Sequence, residues 1–179
     1  MKINKIFKQP ILITGASGFV ASNLVRYFVS KNIKVNLLLK KNTNLWRIKD
    51  IIHKTNYFYL DLGDLKDVKK IIKKIKPKII FHFAAHGAYS NQIDLYNIKK
   101  SILDGTLNLL NECKKYGFES FINTGSSSEY GFKKKIMKED DLLIPNSYYS
   151  VFKSSATLLC QYESIKNNLQ IVTIRPFHV

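Results

Sequence analysis

Short apolar runs alternate with longer stretches of helical periodicity along the whole chain. The runs have the length of strands, and they are PILITGAS, KVNLLLK, NYFYLDL, KIIFHFAA, ESFINTGSS and LQIVTIRP. Between them, recurring apolar positions predict helices over residues 18–32, 64–77, 92–116 and 147–168. Because no hairpin signal joins the runs, the alternation predicts an α/β fold with a doubly wound, Rossmann-type parallel sheet, in a single domain of residues 1–179.

Composition narrows the class of protein. The 179 residues suffice for one sizeable domain, and no apolar run approaches the ~20 residues of a membrane span. The first ten residues lack the apolar core of a signal peptide. Cys113 and Cys160 have no CxxC partner, so both are expected to be reduced. We therefore expect a cytoplasmic protein without a membrane partner.

The formal charge of +16 raises the question of a nucleic-acid partner. The excess consists mainly of lysines spread along the chain, with only three arginines and no zinc-finger, basic-zipper or RNA-recognition pattern. Solvated faces explain this charge better than a nucleic-acid surface, and a basic cleft for an anionic ligand is compatible with either. The four histidines lack the spacing of metal ligands, so no metal site is predicted.

A glycine-rich turn follows the first predicted strand. The sequence TGASGFVAS places Gly15, Gly18 and Ala21 where the strand passes into a helix. Small residues allow a sharp turn there and let the first amides of the helix approach a pyrophosphate, whose charge suits the helix dipole. An ordinary strand–helix turn is the alternative. The position of the glycine-rich turn, after the first of six alternating strands, favours the dinucleotide site.

The residues after the second strand bear on the choice of cofactor. The segment LLLKKNTNLWR carries Lys40, Lys41 and Arg47, and no acid precedes Asp50. An acid at this place favours NAD by binding the ribose 2′-hydroxyl, whereas a cation favours the 2′-phosphate of NADP. We therefore expect NADP or NAD, with NADP favoured. The alternative is that these lysines are only solvated.

Two adjacent tyrosines precede a lysine at the start of the last predicted helix. Tyr149 lies four residues before Lys153 and therefore on the same helical face, whereas Tyr148 lies on a different face. The lysine ammonium, together with a cationic nicotinamide ring, is expected to lower the tyrosine pKa from ~10, so that the phenol can accept a proton. Tyr149 is thus the candidate acid–base residue, and Tyr148 is a packing or substrate-side residue.

Taken together and in order, the motifs of this chain resemble the extended short-chain dehydrogenase/reductase family, the nucleotide-sugar epimerases, dehydratases and reductases. The resemblance covers essentially the whole chain and rests on TGASGFVAS, DLGD, FHFAA, GTLNLL, TGSSSEYG, NSYYSVFK and RPFHV. It implies NAD(P)-dependent hydride transfer on a nucleotide-sugar substrate.

The resemblance also implies a set of site residues. Ser126, Tyr149 and Lys153 would be catalytic, with Ser127 a close competitor of Ser126, and His82 is expected to be structural or adjacent to the cofactor. The residues expected to bind the cofactor are Gly15, Ser17, Gly18, Phe19, Val20, Lys40, Arg47, Asp61, Leu62, Ala84, Ala85, His86, Thr124, Tyr149, Lys153 and Pro176.

Two departures from the family pattern refine the expected activity. Family dehydratases carry an Asp-Glu pair directly after the catalytic serine or threonine, but here Ser127 and Ser128 stand in those places and Glu129 comes one residue late. This favours an epimerase or a 4-keto-sugar reductase. The asparagine usual in the long helix is replaced by Ile102, with Ser101 the nearest polar residue, so a supporting hydrogen bond or water relay there is in question.

A third departure concerns the end of the sequence. The chain stops at TIRPFHV, where the family continues into a C-terminal substrate-binding lobe. We therefore expect that lobe to be absent from this chain, and a homodimer or a separate chain supplying the lobe to be its partner. The alternative is a truncated, non-catalytic dinucleotide-binding module.

Overall fold

Strands and helices alternate in the computed structural model, which describes residues 8–87 and 93–177. The strands are β1 (Ile11–Thr14), β2 (Val35–Leu39), β3 (Asn56–Tyr59), β4 (Ile79–His82), β5 (Ser120–Thr124) and β6 (Ile171–Ile174). The α-helices are α1 (Phe19–Ser30), α2 (Leu65–Ile75), α3 (Leu95–Lys99), α4 (Gly105–Tyr116) and α5 (Tyr148–Asn167). Short 3-10 turns occupy Ile52–Lys54 and Ser127–Tyr130.

The six strands form one parallel sheet in the order β3-β2-β1-β4-β5-β6. This arrangement confirms the predicted doubly wound fold. The chain starts at the centre of the sheet and winds first to one side and then to the other, so the connections leaving β1 and β4 diverge. They leave a crevice at the carboxyl ends of these two strands, where open α/β sheets bind ligands.

The core lies on both faces of the sheet. Alternate residues of β1 belong to two separate clusters, because Ile11 and Ile13 pack with Phe28 of α1 on one face, and Leu12 packs with Leu109 of α4 on the other. A strand covered on both faces needs apolar residues throughout, and all four residues of β1 are buried. This burial fixes the strand ends from which the crevice is built.

The ends of the predicted helices follow from local chemistry. Asp64 caps α2 by accepting hydrogen bonds from the backbone of Lys66 and Asp67, as its position at the start of the helical pattern predicts. The same helix ends at Lys76, which has a left-handed backbone just before Pro77. In the described part of the chain, no helix is long and apolar enough to cross a membrane.

The long helix predicted over residues 92–116 is continuous from Leu95 to Tyr116 but changes geometry midway; residue 92 lies outside the described residues. Between α3 and α4, Lys100–Asp104 forms a π-helical turn. The Thr106 hydroxyl, in the first turn of α4, donates to the carbonyl oxygen of Ile102 at 2.5 Å and so links the π-helical turn to α4. Single π-turns often occur at functional sites, and this one faces the crevice through Ser101.

Candidate active site

A cavity of about 310 Å³ opens at the carboxyl ends of β1, β2 and β4 and beside the residues that follow β3. Many of the residues predicted to bind the cofactor line it, and these are Gly15, Ser17, Gly18, Lys40, Asp61, Leu62, Ala84, Ala85 and His86. Leu38, Leu39, Thr43, Leu60, Phe83 and Ser101 complete the wall. Motifs from four separate strands therefore meet around one space.

The turn between β1 and α1 lies directly against the end of β4. Gly15 has a φ of +67°, and a Cβ there would lie 2.7 Å from backbone atoms of Phe83 and Ala84, so only glycine fits. The Gly18 N–H donates to Gly15 O at 2.9 Å, and α1 begins without a side-chain cap. The first amides of α1 thus have the arrangement that suits a pyrophosphate.

Two predicted residues of this turn lie outside the cavity wall. Phe19 and Val20, at the first positions of α1, have side chains exposed by 58% and 38%. Their contact with the cofactor stays a prediction. Exposed apolar side chains at the start of a helix near a cavity mouth are available to a bound group, but the described residues themselves give these two no partner in the cavity lining.

Asp61 stands at the far end of the cavity between two lysines. Its carboxylate lies 3.2 Å from Lys100 Nζ and 4.0 Å from Lys40 Nζ, and it accepts a hydrogen bond from Gly63 N–H at 2.9 Å. Burial is the largest influence on the Asp61 pKa and raises it, but the Gly63 N–H and Lys100 outweigh burial and hold the pKa below its usual value. Lys100 is a neighbour that the sequence motifs did not reveal.

Arg47 approaches the turn from the side and does not line the cavity. Its guanidinium donates to Ser17 O at 3.4 Å and stacks over the Trp46 ring at 4.4 Å from the ring centre. Lys40, by contrast, lies in the cavity wall, with its side chain 65% exposed. The two cations expected near the ribose therefore differ, because Lys40 faces the cavity and Arg47 braces the phosphate-binding turn.

The three predicted catalytic residues come together at the carboxyl end of β5. Tyr149 and Lys153 share one face of α5, with Lys153 Nζ 5.9 Å from the Tyr149 ring centre, and Ser126 follows β5 in a largely buried position. Tyr149 packs against a cluster formed by Ile98, Ile102 and Ala156. Tyr148 is 63% exposed, so the structure separates the two adjacent tyrosines as their spacing predicts.

In the chain alone the Tyr149 pKa lies above its usual value. Burial raises this pKa, the Ser126 hydroxyl opposes the rise by hydrogen bonding, and the Glu129 carboxylate adds to it. The Lys153 Nζ donates to Thr124 O at 2.8 Å. Burial also lowers the pKa of Lys153 to about 8, against an opposing effect of Glu129. The expected lowering of the Tyr149 pKa requires the cationic nicotinamide ring as well and stays a prediction.

Two further predicted residues, Pro176 and Thr124, lie near Ser126. Pro176 O accepts a hydrogen bond from Ser127 N–H at 3.1 Å, which ties the segment after β6 to the turn that carries Ser126 and Ser127. The Thr124 hydroxyl oxygen is buried and finds no hydrogen-bond partner within the described part of the chain. A buried polar atom without a partner is unusual in a folded protein. The Thr124 hydroxyl is therefore available as a partner for a bound ligand group.

Comparison with known proteins identifies the family. A sequence model of the NAD dependent epimerase/dehydratase family matches residues 11–179. The chain belongs to this family. Similar proteins include a dTDP-D-glucose 4,6-dehydratase of Dictyostelium discoideum, 30% identical over 90% of this chain and 42% of that protein. An uncharacterized UDP-glucose epimerase of Bacillus subtilis is 29% identical over 94% of this chain and 56% of that protein. The chain thus spans about half the length of the curated relatives it matches.

Solved structures of epimerases have the same fold. The UDP-glucuronic acid 4-epimerase of Bacillus cereus, determined in complex with NAD, superposes with a TM-score of 0.81 at 26% identity and covers 94% of this chain and 56% of that one. The UDP-Glc/GlcNAc 4-epimerase of Campylobacter jejuni gives a TM-score of 0.85 at 24% identity, covering 93% of this chain and 53% of that one. At that identity the second likeness shows the fold alone.

Within the epimerase/dehydratase fold, His82 has a structural role that agrees with its expected character. Its Nδ1 lies 2.8 Å from the Thr14 hydroxyl and its Nε2 lies 2.9 Å from the Thr106 hydroxyl. Because Thr106 donates to Ile102 O, its oxygen must accept from His82, which places the ring proton on Nε2. Burial lowers the pKa of His82 to about 3, with Lys153 adding to the effect. His82 is therefore neutral and joins β1 to the π-helical turn.

The sequence motifs did not predict the contact between Glu129 and Arg175 near the candidate site. Glu129 is fully buried and forms an ion pair with Arg175 at 2.9 Å. The only sequence signal was the displaced acid in SSSEYG and an arginine at the end of the last strand, 46 residues away. Among residues 8–87 and 93–177, no group of three or more His, Cys, Asp or Glu side chains is placed to hold a metal ion.

Proposed function

We propose that this chain supplies the cofactor-binding and acid–base half of an NAD(P)-dependent nucleotide-sugar oxidoreductase, of the epimerase or 4-keto-sugar reductase type. Two observations support it most: Ser126, Tyr149 and Lys153 come together after β5, and a cavity lined by other residues has a glycine turn suited to pyrophosphate. Close packing at Gly15 and the unpartnered Thr124 hydroxyl both fit a bound dinucleotide. When bound, such a cofactor supplies hydride acceptance and donation.

The chain's own residues would then bind the reacting sugar oxygen and transfer its proton. The Ser126 hydroxyl would hold the reacting sugar oxygen, and the Tyr149 phenol would take up its proton or return it. Lys153 contributes positive charge behind the tyrosine and holds Thr124 O. Because burial keeps the Tyr149 pKa high in the chain alone, the positive charge of an oxidised nicotinamide ring is the influence that would bring it towards neutrality.

The buried ion pair between Glu129 and Arg175 favours an epimerase or a reductase over a 4,6-dehydratase. Water elimination needs a second acid and base beside the sugar, and Glu129 is the acidic residue within the SSSEYG turn. Its carboxylate is fully buried and occupied by Arg175, Thr157 and the Ser126 N–H. A carboxylate fixed in this way is unavailable for proton exchange with a substrate.

Lys40 supports a preference for NADP within this proposal. It lies in the cavity wall immediately after β2, the place where an acid would bind the ribose 2′-hydroxyl of NAD. Since the chain spans about half of its relatives' length, the activity and the sugar-nucleotide substrate of the whole protein are part of this proposal. The free cysteines Cys113 and Cys160 suit a cytoplasmic location.

The test compares the two adjacent tyrosines. Tyr149→Phe should lower turnover of a nucleotide sugar by about 10²- to 10⁴-fold while leaving the cofactor dissociation constant nearly unchanged. Tyr148→Phe, the matched control one residue away, should retain most of its turnover. Turnover would be followed as nicotinamide absorbance or sugar product across UDP- and dTDP-sugars, and cofactor binding by fluorescence titration.

Two results would contradict the proposal. Equal turnover in Tyr149→Phe and the unchanged chain would remove the tyrosine from catalysis. Cofactor binding without conversion of any nucleotide sugar, even after addition of a chain carrying the substrate lobe, would instead establish a non-catalytic dinucleotide-binding module.

A further inference from the structure

The Glu129 carboxylate is the most completely buried charge beside the candidate active site. Its Oε1 accepts hydrogen bonds from the Ser126 N–H at 2.8 Å and from the Thr157 hydroxyl at 3.1 Å. Its Oε2 accepts from Arg175 Nε at 2.9 Å. The carboxylate thus joins three parts of the fold, because Ser126 follows β5, Thr157 lies on α5 and Arg175 follows β6.

The surroundings of the carboxylate are shaped to hold it. A Cβ at Gly125 would lie 2.4 Å from Glu129 Oε1 and 3.1 Å from Arg175 Cγ, so a larger residue there would displace the pair. Arg175 continues outward, where its Nη1 donates to the Tyr130 hydroxyl at 2.9 Å and to Glu139 O at 3.1 Å. Burying an ion pair is unfavourable unless its remaining hydrogen bonds are made, and here they are made.

These contacts fix Ser126 at two points. Its N–H is held by Glu129, and its hydroxyl accepts from the Ser128 N–H at 3.1 Å. The carbonyl of Glu129 also accepts from Ile144 N–H at 3.0 Å, which ties the following segment to the same turn. Without the carboxylate, the Ser126 backbone would lose its link to Thr157 of α5 and to Arg175, and among the described residues only the main-chain bonds of Gly125 and Ser127 would still hold the turn to the β6 side.

We infer that Glu129 and Arg175 are positioning residues, whose buried ion pair holds the Ser126 turn against α5 and β6 so that the serine hydroxyl stays beside Tyr149. This inference rests on the proposed function. Glu129 touches neither the cavity nor the phenol and acts through Ser126. Holding a reacting group within a fraction of an ångström matters, because a misplacement of 1 Å can cost ~10²-fold in rate.

The pKa of Tyr149 can be measured without turnover, and it depends on the position of the Ser126 hydroxyl. The Ser126 hydroxyl lowers the pKa of Tyr149, whereas burial and the Glu129 charge raise it. Other charged or titratable groups at this site are Lys153 and Cys160 on α5, His82 on β4, Tyr130 on the serine turn and Arg175 itself. Comparing variants with and without the serine hydroxyl in one background cancels the contributions of these groups.

The experiment measures how Ser126→Ala changes Tyr149 ionisation in three backgrounds. The first is the unchanged chain, the second is Glu129→Leu/Arg175→Met, and the third is the control Glu163→Leu/Lys114→Met. The second replaces both buried charges by apolar groups, a change that folded proteins often accept. The control removes the Lys114–Glu163 pair, 2.7 Å apart, which links α4 to α5 away from the serine turn. Tyrosinate absorbance of each variant, minus that of its Tyr149→Phe counterpart, isolates Tyr149.

In the unchanged chain and the control, Ser126→Ala should move Tyr149 ionisation to higher pH. In the Glu129→Leu/Arg175→Met background the same substitution should have little effect, because the serine is already displaced. Turnover in that background should fall about 10- to 100-fold, mainly in kcat. An equal shift in all three backgrounds would overturn the inference. Should the double variant not fold, Glu129→Met/Arg175→Met, which keeps an unbranched side chain at position 129 and leaves no unpaired charge, takes its place in the same cycle.

Failure of the proposed function would look different. If the unchanged chain converts no nucleotide sugar, the activity assignment fails, but the three-background titration still decides whether the ion pair positions Ser126. If turnover is present and the titration shows equal shifts, the enzyme assignment stands and the positioning role falls.

Discussion

The two ends of the crevice are built in different ways. The cofactor end consists of small residues and main-chain groups, with the Gly15 turn pressed against the backbone at Ala84. The catalytic end is built from polar and charged side chains, and its centre is the buried Glu129–Arg175 pair. We therefore expect the Gly15 turn to be sensitive to added side-chain volume, and the Glu129–Arg175 pair to be sensitive to the loss of one of its two charges.

The largest effect is expected from breaking the charged end. Arg175→Met leaves Glu129 buried without its cation and should lower the free energy of unfolding by about 3 kcal/mol. This is the low end of the usual cost, since the Arg175 side chain keeps 18% exposure. Urea denaturation followed by circular dichroism measures it.

The matched control for that change is Lys114→Met, which breaks the more exposed pair with Glu163. It should cost only about 0.2–1 kcal/mol. Equal losses in the two variants would show that burial of the Glu129 carboxylate gives its ion pair no special weight.

Added volume should damage the cofactor end. Gly15→Ala places a Cβ 2.7 Å from backbone atoms of Phe83 and Ala84 at a φ of +67°, and should cost about 1–3 kcal/mol of stability and weaken cofactor binding. Gly117→Ala is the control, because Gly117 has a φ of +64° but nothing closer than 3.9 Å to the added carbon. It should lose stability through backbone strain and keep cofactor affinity, and equal loss of affinity in both would contradict the role of the Gly15 turn.

His82 lies between the two ends and should make the fold sensitive to acid. Its pKa of about 3 in the folded chain lies below the ordinary 6.5, so the unfolded chain binds an extra proton below pH 6.5. The stability from neutral His82 is fully present above pH 6.5 and is lost as pH falls towards 3, by up to about 1.4 kcal/mol per pH unit.

Thermal unfolding between pH 7 and 4.5 would measure this slope. His82→Gln should flatten it, whereas His53→Gln, a change at an exposed position, serves as the control. An unchanged slope in His82→Gln would show that other groups cause the acid sensitivity.

The smallest expected effect concerns cofactor choice. Lys40→Asp should weaken NADP and improve NAD, changing their affinity ratio by about tenfold or more, since a phosphate loses a cation and a ribose hydroxyl gains an acceptor. Lys41→Asp tests whether any added negative charge has the same result. Unchanged affinities after Lys40→Asp would show that Lys40 is only solvated.

Most of the fold could be predicted from the sequence, for local reasons. The helix of residues 147–168 is confirmed within one residue at each end, because Ser147 caps it and Asn168 ends it with a left-handed backbone. The π-helical turn at Lys100–Asp104 was not predicted. Its apolar spacing resembles that of an α-helix, and the hydrogen bonds that define it do not show in the pattern.

The site divides in the same way. The glycine turn and the Tyr149–Lys153 spacing are short-range patterns. The structure places the glycine turn in the cavity wall, and Tyr149 and Lys153 on one face of α5. The raised pKa of Tyr149 in the chain alone could not be predicted, because it depends on how far the surrounding elements bury the ring. The burial of one side chain depends on how several elements pack together, so the residues next to it in the sequence do not predict it.

The alternation of strands and helices, the glycine turn after β1 and the choice of acid–base candidates follow from the amino-acid sequence alone. Each of these depends on residues within one turn or one element, where backbone geometry and side-chain spacing act directly. The three-dimensional packing is needed to see that Glu129 pairs with Arg175, that His82 is neutral between Thr14 and Thr106, and that Lys100 reaches Asp61. These pairings join residues far apart in sequence, and packing of the sheet and helices selects them from many chemically equivalent partners.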